Sequence, residues 1–289
     1  MVAYPQDAPL ARSLLAAAVR QDSFPGLRRP EARVLLAIAP DDERFREWIG
    51  PRAPEWGAAV AFPSQMRIVM QGRRAGSDAG DPTVVLRHEL AHLALHERMG
   101  ELPPRWFDEG YASYAAGEWG RQELLATNSA LVLRRFPSLA GLDSGFMGGS
   151  LSAEASYALA HRAVDELASL DPERGLTLFF RYWKETGSMD RAMRSAYGLT
   201  LPAFEDQWQR HTRRRYGALA AVADITLAFS LLMLPLIPLW IARRRRDRRR
   251  MAALRAADVD AERRAAESVL DELLRPPPAA PPPSGEATS

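Results

Sequence analysis

The chain has 289 residues, a formal net charge of +2 and no cysteine. The absence of thiols excludes disulfides and cysteine-ligated metal sites. The near balance of 38 basic and 36 acidic residues argues against a protein that binds an acidic partner over its whole surface. A hydrophobic content of 47% is enough for the core of one medium-sized domain with additional segments.

The N-terminal part of the chain predicts a surface helix and then a small sheet. Short apolar runs bounded by prolines and polar residues are typical of buried strands, and capped amphipathic stretches are typical of helices. In chain order the predicted elements are a helix at Pro9–Gln21, a strand at Arg33–Ala39, a helix at Asp41–Ile49, and strands at Ala58–Phe62 and Met66–Gln71.

The next helix carries two histidines one turn apart. A capped helix is predicted between Asp81 and Gly100. His88 and His92 are four residues apart, so they project from the same side of that helix and one metal ion can contact both. Glu89 lies beside such a metal and can accept a proton from a water molecule that the metal holds. This pattern indicates a hydrolytic metal site.

A metal held by two histidines needs a third protein ligand and an open position for water. A second predicted helix contains Trp106–Ala112, and the short connection before it, Gly100–Pro104, can turn the chain back toward the first helix. Glu109 is the favoured third ligand and Asp108 is the alternative. These two residues lie about 100° apart around the helix, so only one of them can face the metal.

His96 continues the histidine series by one more turn. It lies two turns from His88, about 11 Å along the helix axis, and therefore cannot bind the same zinc ion. We expect it to support the site or to lie at the surface. The alternative interpretation of the whole region is a pair of ordinary amphipathic helices whose polar residues happen to align.

The segments His88–His92 and Trp106–Ala112 resemble the gluzincin metallopeptidases, and most closely the peptidase MA-like branch. The resemblance covers Arg33 to Tyr216. In gluzincins the glutamate of the Glu-Gly pair is the third ligand of one Zn²⁺ ion, which implies this role for Glu109. The Gly-x-Met-x-Asn motif of the aminopeptidase branch is absent and the spacing between the two motifs is slightly shorter, so the resemblance implies an endopeptidase.

The fold that this resemblance implies is α+β and zincin-like, with a small sheet on the N-terminal side, the metal helix and a helical C-terminal lobe. Zincin substrates pair with an edge strand of the sheet. Met66–Gln71 directly precedes the metal helix and is the candidate edge strand, with an ordinary core strand as the alternative. The loops Arg73–Gly80 and Pro137–Ser150 are expected to border the cleft, the second as a possible lid.

The second half of the domain is predicted to be helical. Its helices are expected at Gln122–Phe136, Ser152–Leu170, Gly175–Thr186, Met189–Tyr197 and Pro202–Arg215. Related enzymes place a tyrosine or histidine opposite the zinc, where it stabilises the oxyanion. Tyr157 is the candidate for this catalytic role, ahead of His161, which lies four residues further on. Core packing is the alternative for both.

A membrane span is predicted at Ala218–Ala242, which is long and apolar enough to cross a bilayer. Arg243–Arg250 contains seven arginines and indicates the cytoplasmic side. The alternatives are a buried soluble helix and a nucleic-acid-binding stretch; we expect no nucleic-acid partner. The prediction is a single-pass protein of a bacterial-type cell membrane with an extracytoplasmic catalytic domain.

The visible N-terminus carries no export signal, which leaves two alternatives open. Either the true start lies upstream, or the enzyme faces the cytoplasm as a tail-anchored protein. Beyond the arginines, Met251–Arg275 predicts a charged helix or short coiled coil. Pro276–Ser289 predicts a disordered, proline-rich end that could bind a cytoplasmic partner.

The sequence therefore divides into a helical segment 1–30, a zincin-like domain 31–216, a membrane helix 218–242 and a tail 243–289. The predicted function is that of a membrane-anchored zinc metallopeptidase that hydrolyses peptides or proteins with Glu89 as the general base. Two alternatives stay open: a zincin-like binding or scaffold protein without catalysis, and a zinc hydrolase that acts on a non-peptide substrate.

Overall fold

The apolar runs near the N-terminus form one small sheet in the computed structural model, which describes residues 1–51, 57–72, 80–100, 103–118, 136–215, 233 and 236–274. The described strands are β1 (Val2–Ala3), β2 (Ser23–Phe24), β3 (Leu27–Arg28), β4 (Leu35–Ala39), β5 (Ala59–Phe62) and β6 (Arg67–Gln71). Four of them form the sheet, in the order β1-β4-β6-β5. Strands β1 and β6 run parallel to β4, and β5 runs antiparallel to β6. A separate hairpin pairs β2 with β3.

The prediction that Met66–Gln71 is an edge strand is wrong. This segment forms β6, which lies inside the sheet with β4 on one side and β5 on the other. The tight turn Pro63–Gln65, followed by Met66 in the left-handed conformation (φ 45°), folds β5 back against β6. Among the described strands, β5 is therefore the edge on this side of the sheet, and proximity to the next helix in sequence does not decide the order of strands.

The histidine-bearing helix α3 (Pro82–Met99) lies between the sheet and the helical lobe. The Asp81 side chain accepts a hydrogen bond from the Thr83 N–H (2.8 Å), and Gly100 ends the helix with a φ of 73°. Leu86 and Leu93 pack with sheet residues, whereas Ala91, Ala94 and Leu95 belong to the core of the helical lobe. Because α3 is buried on two sides, its remaining polar side is held in a fixed direction.

The helical lobe follows α3 and contains most of the aromatic core. Phe107, Tyr111 and Phe180 are buried there, together with Trp183 and Trp208. Its helices are α4 (Arg105–Ala116), α5 (Leu139–Gly145), α6 (Ser150–Ser169), α7 (Thr177–Thr186), α8 (Met189–Tyr197) and α9 (residues 201–215). The helices α1 (Ala8–Arg20) and α2 (Asp42–Ile49) precede them on the sheet side.

These helices agree with most of the sequence predictions. One difference is the segment Pro137–Ser150, expected to be a loop, which contains α5. The Ser138 side chain caps this helix by accepting a hydrogen bond from the Gly141 N–H, and Leu139 and Leu142 are buried in the lobe. The predicted helix Gln122–Phe136 and the predicted rim Arg73–Gly80 lie, except for their last residues, outside the described residues.

Helix α4 packs closely against α6 at a glycine. A Cβ atom on Gly110 would lie 2.5 Å from the carbonyl oxygen of Ala160 and 2.7 Å from its carbonyl carbon. Contacts this short are impossible without a backbone shift, so glycine is required where the two helices meet.

The residues fall into two units, Met1–Asp224 and Ile225–Ser289. In the second unit the described residues form one long helix, α10 (Leu236–Leu274), which includes most of the predicted charged helix. Within the described parts of the chain, no helix is both long and apolar enough to cross a membrane. Most of the predicted span, residues 218–232, 234 and 235, lies outside these parts, as does Pro276–Ser289.

Candidate metal centre and active site

Two histidines of α3 and one glutamate of α4 converge on a single point. The Oε2 atom of Glu109 lies 3.7 Å from Nε2 of His88 and 3.7 Å from Nε2 of His92. One ligand atom from each of the three residues falls within 4.8 Å of the others. The two imidazole rings lie edge to face, with centroids 4.9 Å apart. The helical spacing of the histidines and the reversal of the chain before α4 together produce this convergence.

The three atoms fit the requirements of a zinc site. Bonds of about 2.0–2.1 Å in a tetrahedral arrangement place neighbouring ligand atoms about 3.4 Å apart, close to the separations of 3.7 Å found here. Two imidazoles and one carboxylate also form a ligand set found in catalytic zinc sites, where the fourth position is left to water or substrate. These residues can therefore hold one Zn²⁺ ion.

Asp108, the alternative third ligand, contacts the opposite nitrogen of His92. Its Oδ1 lies 2.7 Å from Nδ1 of His92, and its Oδ2 lies 2.9 Å from Nε2 of His96. These separations are hydrogen-bond lengths and are shorter than the roughly 3.4 Å expected between two ligands of one zinc ion. Asp108 therefore orients His92 with its Nε2 toward Glu109, and His96 supports Asp108.

Glu118 has the corresponding role behind His88, and the sequence interpretation missed it. Its Oε1 lies 2.8 Å from Nδ1 of His88. Glu118 follows Gly117, which ends α4 in a left-handed conformation and turns the chain toward α3. A carboxylate on the distal nitrogen fixes the tautomer of a metal-binding histidine and increases its basicity. No motif or periodicity in the sequence marks Glu118 for this position.

The second oxygen of Glu109 faces a cation. Nε of Arg105 lies 3.8 Å from Oε1 of Glu109, one helical turn away on α4. The Arg105 guanidinium also stacks over the Phe146 ring at 5.2 Å, and Phe146 contacts Tyr157 edge to face at 4.8 Å. The half-buried Tyr157 is thus connected to the glutamate through Arg105 and Phe146, and its proposed part in catalysis stays a prediction.

His161, the other candidate for the oxyanion, belongs to the group behind His88. Its Nδ1 lies 3.1 Å from Oγ of Ser113, whose hydroxyl donates to Oε2 of Glu118 at 2.8 Å. Ser113 lies one turn after Glu109 on α4, so helical periodicity could have placed it near the site. The contact with His161 depends on the packing of α6 and has no signal in the local sequence.

Glu89 lies between the two metal-site histidines and the edge strand. Burial raises its pKa, and the charges of His88 and His92 oppose this effect without cancelling it. The backbone N–H of Ala61 in β5 donates a hydrogen bond to the carboxylate. A buried carboxylate with a raised pKa, beside the convergence point and not part of it, is suited to accept and return a proton.

The pKa values of the two histidines are also shifted. Burial by itself would lower both, but Glu109 and Glu118 raise the pKa of His88 to about 10, and Asp108 raises the pKa of His92 to about 9. For the carboxyl groups of Asp108 and Glu109 the effects are reversed. Burial by itself would raise their pKa values, but the adjacent histidines lower both. Without a cation, the imidazoles therefore carry protons at neutral pH, and a metal ion must displace them.

Residues 51–214 match the family model of the Peptidase MA superfamily, and this match covers more than half of the chain. The chain therefore belongs to the Peptidase MA superfamily, and the predicted peptidase MA-like membership is confirmed. No match was found among curated proteins or solved structures. At the superfamily level the match supports a metallopeptidase-like fold, an enzyme of the peptidase type and a peptide or protein substrate.

Proposed function

We propose that this protein is a zinc-dependent endopeptidase with one Zn²⁺ ion held by His88, His92 and Glu109. The observation that carries the proposal is the convergence of three ligand atoms beside a buried carboxylate that binds none of them. When bound, zinc lowers the pKa of a coordinated water molecule to about 7 and polarises the peptide carbonyl. Membership of the Peptidase MA superfamily supports this chemistry.

Glu89 is the proposed general base. Its carboxylate accepts a proton from the attacking water and then donates that proton to the leaving amine. The Ala61 N–H donates to the carboxylate, and burial raises its pKa, which favours acceptance of a proton. Tyr157 is the proposed donor to the oxyanion, in accord with its place beside Phe146 and Arg105.

The edge strand β5 is the proposed surface for the substrate backbone. The Ala58 carbonyl accepts a hydrogen bond from the Gln71 N–H, and the register continues in pairs along β6. In an antiparallel pair every second residue directs its N–H and C=O away from the partner strand. Ala59 and Ala61 are these residues. The Ala61 N–H is used by Glu89, so the N–H and C=O of Ala59 and the C=O of Ala61 are the groups offered to a substrate. An extended peptide can add a strand there.

N-methylation of a cleaved peptide tests this pairing. Methyl groups on alternate backbone nitrogens should raise KM about 10-fold or more, because each removes one hydrogen bond and introduces a clash, while methyl groups on the intervening nitrogens should have little effect. A uniform response along the peptide would contradict pairing with β5. The measurement requires only wild-type protein, so it does not depend on the folding of a variant.

The central test is Glu89→Gln, which preserves the shape of the side chain and removes the base. The variant should bind one zinc ion as wild type does and lose at least about 1,000-fold in kcat on casein or a peptide library, since a general base and its charge are both lost. Glu154→Gln, at an exposed position of α6, is the matched control and should retain activity. Full activity of Glu89→Gln would refute the mechanism.

The same experiment separates the two rival functions. A scaffold protein that uses the fold without catalysis would give no hydrolysis in either form of the protein. A hydrolase of non-peptide substrates would show Glu89-dependent cleavage of model esters or amides and none of peptides. Failure of the wild-type protein to bind zinc would remove the proposal altogether.

We further propose a single membrane span at Ala218–Ala242 with a cytoplasmic tail. The apolar run and the arginines at Arg243–Arg250 support this topology. Alkaline phosphatase fused to the C-terminus should be inactive, because it would remain inside the cell. Activity of that fusion would reverse the topology and place the catalytic domain in the cytoplasm.

A further inference from the structure

Behind His88 runs a buried chain of hydrogen bonds that the proposed mechanism does not use. It joins Nδ1 of His161 to Oγ of Ser113 (3.1 Å), Oγ of Ser113 to Oε2 of Glu118 (2.8 Å), and Oε1 of Glu118 to Nδ1 of His88 (2.8 Å). Ser113 is fully buried and His161 is 8% exposed. The chain crosses from α6 through α4 to α3.

The direction of each hydrogen bond follows from counting protons. A serine hydroxyl has one proton, and Ser113 donates it to the Glu118 carboxylate. Its oxygen must therefore accept from His161, so that Nδ1 of His161 carries hydrogen. His88 likewise donates from Nδ1 to Glu118 when its Nε2 binds a metal. All three hydrogen bonds are thus arranged to hold a negative Glu118 in one orientation.

The packing of α4 on α6 brings this chain together. Gly110 allows the α6 backbone to approach α4 at Ala160, the residue before His161. One turn further along α4, Ser113 then lies within hydrogen-bonding distance of the His161 ring. Because the contact is set by backbone packing, His161 reaches Ser113 in a fixed geometry and limits the rotation of its hydroxyl.

We propose that His161 is a positioning residue for the metal centre. It acts on His88 through Ser113 and Glu118, and its role differs from the oxyanion stabilisation considered for it from the sequence. This inference rests on the proposed zinc site. It implies that α6, which supplies no metal ligand, nevertheless contributes to zinc affinity through one side chain.

The test is zinc affinity, measured by competition with a chromophoric chelator on the folded, metal-stripped chain. His161→Leu removes the donor and should weaken zinc binding about 10-fold, at the lower end of the effect of residues that support metal ligands. Ser113→Ala should weaken it to a similar extent. Because both variants interrupt one chain, the double variant should be about as weak as either single variant. KM at saturating zinc should stay unchanged in all three.

Two further variants separate positioning from packing. His161→Asn places an amide N–H near the position of Nδ1 and should recover most of the zinc affinity. His211→Leu removes another histidine that is hydrogen-bonded to a buried carboxylate, Glu166, and should leave zinc affinity at the wild-type value. Circular dichroism and thermal melts of each variant show whether it is folded.

The outcomes test the role of His161 separately from the proposed zinc peptidase function. Wild-type affinity in a folded His161→Leu or Ser113→Ala variant would overturn the positioning role while leaving the zinc peptidase proposal intact. Additive losses in the double variant would also overturn it, since independent effects indicate separate packing defects. A wild-type chain that binds no zinc and hydrolyses nothing would instead refute the proposed function.

Discussion

The two histidines of the proposed zinc site are supported in different ways. His92 is held by Asp108, which is held by His96, and all three residues lie within the two helices that carry the motifs. His88 is held by Glu118, and the chain behind it extends to His161 on α6. The half of the site that supports His92 is therefore contained in α3 and α4, whereas the half that supports His88 also requires α6 to be packed against α4. Both histidines nevertheless present the same nitrogen to Glu109.

Removal of the carboxylate ligand should have the largest effect on zinc affinity, because Glu109 faces both histidines. Glu109→Ala should lower zinc affinity by more than about 100-fold, beyond the range of supporting residues. Zinc content after dialysis and chelator competition measure the loss. Asp108→Ala should lower zinc affinity by a smaller factor than Glu109→Ala. If Asp108→Ala lost the metal while Glu109→Ala kept it, the third ligand would be Asp108, the alternative that the sequence left open.

Proton release should be the next largest effect, since zinc has to displace the protons on both histidines. The pKa values of about 10 for His88 and about 9 for His92 lie above neutrality. Zinc binding at pH 7.5 should therefore release about two protons, and affinity should rise by up to about 100-fold per pH unit toward pH 9. Calorimetry in buffers of different ionisation enthalpy measures the number of protons released on zinc binding.

The stability of the metal-free protein should change with pH in the opposite sense. A histidine with a raised pKa stabilises the folded chain fully below its unfolded pKa of about 6.5, and this contribution is lost as pH rises through the folded pKa. The melting temperature without zinc should thus fall between pH 7 and pH 10. For the prediction on proton release, zinc binding that releases no protons would contradict the charged pairing of the histidines with the carboxylates.

The supporting carboxylates should show a smaller effect that separates the two halves. Asp108→Asn and Glu118→Gln each remove a charge behind one histidine and should lower zinc affinity about 10-fold to 100-fold. Since the two supports share no residue, the double variant should lose the sum of both free energies. His96→Leu should couple to Asp108→Asn and not to Glu118→Gln. Coupling across the halves would show that the supports of His88 and His92 are not independent.

The sequence predicted the three side chains that converge and missed most of the residues that support them. Helical periodicity and the Glu-Gly pair were enough to place His88, His92 and Glu109 on facing helices, because such spacing fixes which side chains share a face. Periodicity carries no information about which helix packs behind α4. Glu118 and the contact of Ser113 with His161 depend on that packing. The choice of Met66–Gln71 as the edge strand failed for the same reason, since strand pairing is decided by tertiary contacts.

Gly110→Ala tests whether the support of His88 depends on the packing of α6 against α4. It should affect the metal ligands themselves least of all the substitutions. The added Cβ meets the Ala160 carbonyl group at 2.5–2.7 Å, so α6 must shift, at a cost of about 1–3 kcal/mol. For a domain of this size, each kcal/mol lowers the melting temperature by about 2–4 °C. The shift should also weaken the contact of Ser113 with His161 and leave the contact of Asp108 with His92 unchanged.

Gly149→Ala is the matched control for this substitution. No described atom lies within 4 Å of its added Cβ, and the φ of −63° at this position is ordinary for alanine. Its stability should stay within about 1 kcal/mol of wild type, because alanine restricts the unfolded chain but is a poorer N-cap of α6 than glycine. Gly110→Ala could instead have the same melting temperature as Gly149→Ala and keep wild-type zinc affinity. In that case α6 would tolerate displacement, and the support of His88 would be as local as that of His92.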